Sequence, residues 1–198
     1  MRLGKDLINK PIYSIDEGKQ IGKVQDLYLD ANDTVILGLY LGSQGLVRRK
    51  AELIRATDVY LYGADAVLAN GSAAITDDST SPEVKEWVRR DKLIGREVQS
   101  PGGTRLGQIG DVVIDSAGRV TGFALSKTFV EGPLADKRYI ERGTVLDVGQ
   151  EGGAMTVDLV KLEASLMVAD AVPAEVKIEE EAEGIADLPL TVDPSIDD

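Results

Sequence analysis

The sequence predicts a mainly β protein: two small β-barrels joined by a short helix, with an acidic C-terminal tail. Three observations lead there. One motif of Gly, apolar residues and Asp occurs twice in register. Short apolar segments recur roughly every 8–12 residues with Gly, Asn or Asp between them, the spacing of small sandwiches and barrels. Aromatics make up only 5% of the chain, with one Trp, so the core must be mainly Val, Ile, Leu and Ala. At 198 residues the chain has room for one large domain or two small ones.

The elements follow in order. The opening Leu7-Ile-Asn-Lys-Pro-Ile12 is matched by Leu93-Ile-Gly-Arg-Glu-Val98, 86 positions on. Gly22-Lys-Val-Gln-Asp-Leu-Tyr-Leu-Asp30 is matched by Gly107-Gln-Ile-Gly-Asp-Val-Val-Ile-Asp115, 85 positions on, the change falling in the intervening turn. Polar and apolar side chains share both faces of this segment, which predicts a strand covered on both sides or strongly curved. Hairpin turns follow at Asn32-Asp33 and Ala117-Gly118, then apolar strands from Val35 and Val120. Val59-Tyr-Leu-Tyr-Gly63 resembles Val145-Leu-Asp-Val-Gly149. These matches define copy 1 (1–75) and copy 2 (92–160) of one domain. Each is small for independent stability, so packing of one copy on the other should add burial.

Between them, residues 76–91 predict a helix with Ser81 as N-cap and Pro82 at the first helical position. Val84, Trp87 and Val88 make one apolar stripe, with Trp87 as a packing anchor. After Asp158, Leu159, Leu162 and Leu166 are spaced for a last amphipathic turn or two. Residues 161–198 read as a flexible tail, in which Val176-Lys-Ile-Glu179 could add one edge strand. The tail holds 11 acidic against 2 basic residues, whereas residues 1–160 hold 23 against 20. The formal charge of −12 therefore belongs to the tail more than to the barrels.

The repeated unit resembles the PRC-barrel domain. The resemblance rests on the opening Leu-Ile-x-x-x-Ile/Val, the Gly-x-Val/Ile-x-Asp-Leu/Val-x-Ile/Leu-Asp motif, a strand holding Gly38 or Gly122, and the segment leading into Val59 or Val145. It covers roughly residues 3–70 and 91–158. This family includes the cytoplasmic barrel of the photosynthetic reaction-centre H subunit and the C-terminal half of the ribosome maturation factor RimM. The resemblance implies an adaptor or assembly module with no shared catalytic residues. The chain shows neither the H subunit's transmembrane helix nor RimM's N-terminal domain, so the general interaction role is what carries over.

Composition narrows the chemistry. There is no His and no Cys, which removes disulfides, thiolate nucleophiles, the usual zinc ligands and His-dependent triads. Asp26/Asp30 and Asp111/Asp115 stand at i, i+4 on strands, hence ~13 Å apart, too far for one metal or a carboxylate dyad. The aspartate at each strand end reads as a cap of turn amides. Asp30-Ala-Asn-Asp33 lacks the central Gly and distal Glu of a calcium loop, and Gly102-Gly-Thr-Arg-Leu-Gly107 opens no helix to cradle phosphate. No enzyme, cofactor or metal site is expected. Without a secretory h-region or an apolar run near ~20 residues, a cytoplasmic location is the expectation.

Two loops remain as partner sites. Arg48, Arg49 and Lys50, with Arg55 nearby, follow Gly42-Ser-Gln-Gly45 and form the main basic cluster. Copy 2 carries a different insert there, with Phe129, Val130 and Leu134 as either barrel lids or a sticky surface. Loops in which copies diverge are where specificity resides. The reading is a non-enzymatic adaptor docking an unidentified protein through loops 42–50 and 126–138. The alternative is an RNA- or ribosome-associated maturation factor using the Arg48–Lys50 loop, which could also meet lipid headgroups or the chain's own acidic tail.

Overall fold

The computed structural model describes residues 1–44 and 50–171. In copy 1 the strands are β1 (Arg2–Leu3), β2 (Pro11–Ser14), β3 (Gln20–Lys23), β4 (Asp26–Leu29), β5 (Ile36–Gln44), β6 (Lys50–Arg55), β7 (Val59–Tyr62), β8 (Val67–Ala69) and β9 (Ile75–Asp77). A short β10 (Val88–Arg89) leads into copy 2, which holds β11 (Glu97–Gln99), β12 (Arg105–Ile114), β13 (Val120–Thr128), β14 (Tyr139–Glu141), β15 (Val145–Asp147) and β16 (Met155–Val157). Helix α1 (Pro133–Lys137) lies in the copy 2 insert, and α2 (Leu159–Ala171) follows β16.

The two copies share one plan. Each holds one parallel pair: Ile12 opposite Val67 in copy 1, Val98 opposite Met155 in copy 2. Val24 and Ile109, both fully buried, sit where the long strand turns a corner. In copy 1 this corner separates β3 from β4, giving a four-stranded and a five-stranded sheet. In copy 2 β12 stays continuous through register shifts at Gln108/Ile109 and Ile109/Asp111, and its sheet has seven strands. All four residues of β4 are buried, as the mixed faces of the motif predict.

The copies are joined by exchanged strands. β1 of copy 1 pairs with β12 of copy 2, Arg2 opposite Ile114 and Leu3 opposite Val113. β10, at the same place in the repeat, pairs with β4 of copy 1, Val88 opposite Leu29 and Arg89 opposite Tyr28. Each partner is displaced by the repeat offset, so the two exchanges are related by an approximate two-fold. Near its axis the hairpin turns meet: Val120 N–H donates to Thr34 O and Ile36 N–H to Gly118 O, at 2.7 and 2.8 Å. Side chains of both copies, from Leu7 and Leu27 to Phe123 and Leu166, form one buried apolar cluster. A smaller one joins Tyr28, Leu53 and Val84 under Trp87 and Tyr40.

Two segments differ in extent from the sequence reading. The linking helix is present as a 3-10 turn, Pro82–Glu86, because Val88 and Arg89 are drawn into strand pairing with β4. Ser81 makes no side-chain cap; its buried hydroxyl accepts from Arg55 Nη2 at 2.9 Å instead. The boundary at 160 falls inside α2, whose Leu162 and Leu166 are buried, so this helix belongs to the fold. Residues 172–198, including the Val176–Glu179 segment, lie outside the described residues.

Candidate interaction surface

The seam between the copies is built from the repeated motif. Asp26 and Asp111 lie two residues beyond the buried Val24 and Ile109, just past the corner, and are themselves 3% exposed. Each caps the opening turn of the other copy. Asp111 Oδ2 accepts from Lys5 N–H at 2.9 Å, and Asp26 Oδ2 accepts from Asp91 N–H at 3.2 Å. Arg90 joins them: its Nε lies 2.6 Å from Asp111 Oδ1 and its Nη1 3.7 Å from Asp26 Oδ1. The outer aspartates behave as turn caps, as expected. Asp30 accepts from Asn32, Thr34 and Val35 N–H, and Asp115 from Ala117 and Arg119 N–H. Burial pushes the Asp30 carboxyl up, yet these donors together hold it below its ordinary value.

Gly4 occupies the position equivalent to Arg90. A Cβ there would lie 2.7 Å from Val112 Cγ2 and 2.9 Å from Arg90 Nε. Beside the axis there is room for one long side chain, and Arg90 fills it. Gly4→Ala should therefore destabilise the chain by about 1–3 kcal/mol, read as a lowered denaturant midpoint at unchanged slope.

The same approximate two-fold relates two sites beside the turns, and they differ. On one side Gly118 packs against Tyr62, whose ring would lie 3.3 Å from a Cβ at residue 118. On the other, the equivalents are Asp33 and Val148, and a cleft of about 890 Å³ opens between the copies. Asp33 and Gly118 both adopt left-handed backbone (φ 54 and 78), which confirms the equivalence. Tyr28, Trp87, Val88 and Val148 supply apolar walls, with Lys85, Arg89, Lys92 and Arg96 as cations. Asp33 is 1% exposed, and its carboxyl oxygens have no hydrogen-bond partner among the described residues. Arg96 Nη1 stands 3.9 Å away and donates to Val148 O at 2.5 Å. Burial raises the Asp33 carboxyl to about 7, with the Asp30 charge adding and Arg96 and Arg142 opposing.

The basic loop is divided. Arg48 and Arg49 lie outside the described residues. Lys50 Nζ pairs with Asp77 at 3.2 Å and bonds Ser79 at 2.9 Å, while Arg55 pairs with Glu83 at 2.5 Å. Bonds from Ser79 and Lys50 lower Asp77 to about 2. The charges of Lys50 and Arg55 are thus met by carboxylates of the linker.

The copy 2 insert brings Val130 and Leu134, but not Phe129, against α2. Phe129 is 45% exposed, with the Arg105 guanidinium 4.9 Å from its ring centroid. Val130 lines a groove of about 140 Å³ with Leu159, Leu162, Glu163 and Leu166. Leu134, on α1, is buried against α2 and acts as a lid, so it leaves the exposed surface to Phe129. Sequence reasoning missed Asp26, Asp111 and Arg90 as the seam and Asp33 as the cleft floor. The signal was the Asp kept at an inward strand position in both copies.

Among the described residues, no group of three His, Cys, Asp or Glu side chains is placed to hold a metal, and no helix is long and apolar enough to cross a membrane. A family model described as "PRC-barrel domain" matches residues 1–74 and 86–164. The second segment begins before β10, as the strand exchange requires, and ends inside α2. No curated protein matches the chain.

Proposed function

The chain belongs to the PRC-barrel domain family, and on that premise we propose that it is a non-enzymatic adaptor or assembly protein docking a protein partner on the insert and α2 of copy 2. Family membership carries a general protein-interaction or assembly role. The observation that supports this surface is its exposed apolar content. Phe129 directly precedes Val130 of the groove lining and is itself exposed, and Val160 and Met167, 78% and 65% exposed, flank Glu163 at three and four residues along α2. Apolar and aromatic side chains gathered at a groove are the usual anchors of a protein interface. The seam of exchanged strands serves this role by giving the surface a fixed mount.

Affinity purification with the full chain tests the reading. Phe129→Asp with Met167→Asp should lower recovery of a bound protein at least about tenfold while the melting temperature stays close to wild type, because both side chains are exposed. Equal recovery by wild type and variant would remove the surface from consideration.

A further inference from the structure

We propose that the cleft between the copies is the docking site of the chain's own acidic C-terminal segment, residues 172–198. The cleft exists once although the fold repeats, because Val148 and Asp33 stand where the other copy's contact has Tyr62 and Gly118. Its rim is net positive, with Lys85, Arg89 and Lys92 against the exposed carboxylate of Glu86. Lys85 and Lys92 are exposed and make no ion pair among the described residues, whereas Arg89 is held by Asp26 and Asp91. Its walls are apolar, with Trp87 and Tyr28 at 5.8 Å edge to face.

The segment matches on both counts. Residues 172–198 hold nine acidic residues against one basic, with Ile178, Ile185, Leu188 and Leu190 spaced among them. Glu179, Glu180 and Glu181 form its densest charge. The acidic residues suit the lysine rim, and the apolar ones suit the walls. Reach is ample: 27 residues extend up to ~90 Å at ~3.3 Å each, against a fold about 40 Å across for this length. A self-complementary segment at the cleft would be displaced by any stronger acidic partner, which makes it a competitor built into the chain.

Trp87 is the chain's one tryptophan, so its emission comes from a single side chain that lines the cleft. The experiment measures acrylamide quenching of Trp87 in the full chain at about 0.05 M and about 0.5 M salt. Wild type should be protected at low salt, and the quenching constant should rise at least about twofold at high salt, as screening weakens exposed charge pairs. Lys85→Glu with Lys92→Glu should be quenched strongly at both salts, as should Glu179→Lys with Glu180→Lys and Glu181→Lys. Combining the two sets swaps the charges and should restore protection. Circular dichroism and melting temperature confirm that each variant is folded. Quenching that is the same in wild type and both charge variants, or a combined variant that stays unprotected, overturns the proposal. So does protection that disappears on dilution, since that assigns the occupant to a second copy.

Discussion

Asp111→Ala should unfold at markedly lower denaturant than wild type, at a cost of about 3–5 kcal/mol. The carboxylate takes three donors at once: Lys5 N–H from copy 1, Val112 N–H of its own strand and Arg90 Nε from the linker. Its removal leaves a guanidinium that is 13% exposed without its closest partner and takes this acceptor from the Lys5 and Val112 amides. Such a loss is a large part of the 5–15 kcal/mol that holds a typical domain together. Asp111→Asn keeps the volume and one acceptor, and should recover part of the loss. Urea unfolding of the three proteins orders them; an Asp111→Ala midpoint within error of wild type would show that the seam contributes nothing.

The second large effect is a pH dependence centred on Asp33. Its carboxyl holds a proton to about pH 7 when folded, because burial disfavours the charged form, and releases it near 3.8 when unfolded. Between these values the folded chain binds more protons than the unfolded one. The contribution is therefore fully present below about pH 4 and is lost as pH rises through about 7. At about 1.4 kcal/mol per pH unit the total reaches up to about 4 kcal/mol. Asp30 and Asp115, held low by their amide donors, act in the opposite direction over the acid range, so the quantity to measure is the difference from Asp33→Asn. Asn tolerates the left-handed backbone at residue 33. Wild type should lose stability relative to Asp33→Asn steadily between pH 4 and about 7. Parallel curves for the two proteins would contradict the buried, proton-holding Asp33.

How much of this was legible depended on how local the signal was. The repeat, its hairpin turns and the turn-capping Asp30 and Asp115 are written in neighbouring residues, and the structure follows them. The strand exchange is not. β1 and β10 are two residues each, too short for an alternating pattern, and Arg2-Leu3 shares little with Val88-Arg89. The stripe Val84, Trp87, Val88 has helical spacing, yet tertiary pairing with β4 ends the helix at Trp87, where propensity alone would have continued it. The motif's first aspartate was visible as a residue kept in both copies. Its role was not, because its partners at Lys5, Asp91 and Arg90 come from the other copy or the linker. In the copy 2 insert, exposure decided matters that composition left open: Leu134 is buried as a lid while Phe129 stays exposed.

The central claim is that the two copies form one cooperative unit through exchanged strands and the Asp26–Arg90–Asp111 seam. Equilibrium unfolding of the full chain followed by two probes tests it most directly. Trp87 emission reports where the linker packs on copy 1, and far-ultraviolet circular dichroism reports the strands of both copies. One shared transition with the same midpoint and slope is the expected result. Two steps in the circular dichroism, with Trp87 following only one of them, would contradict it.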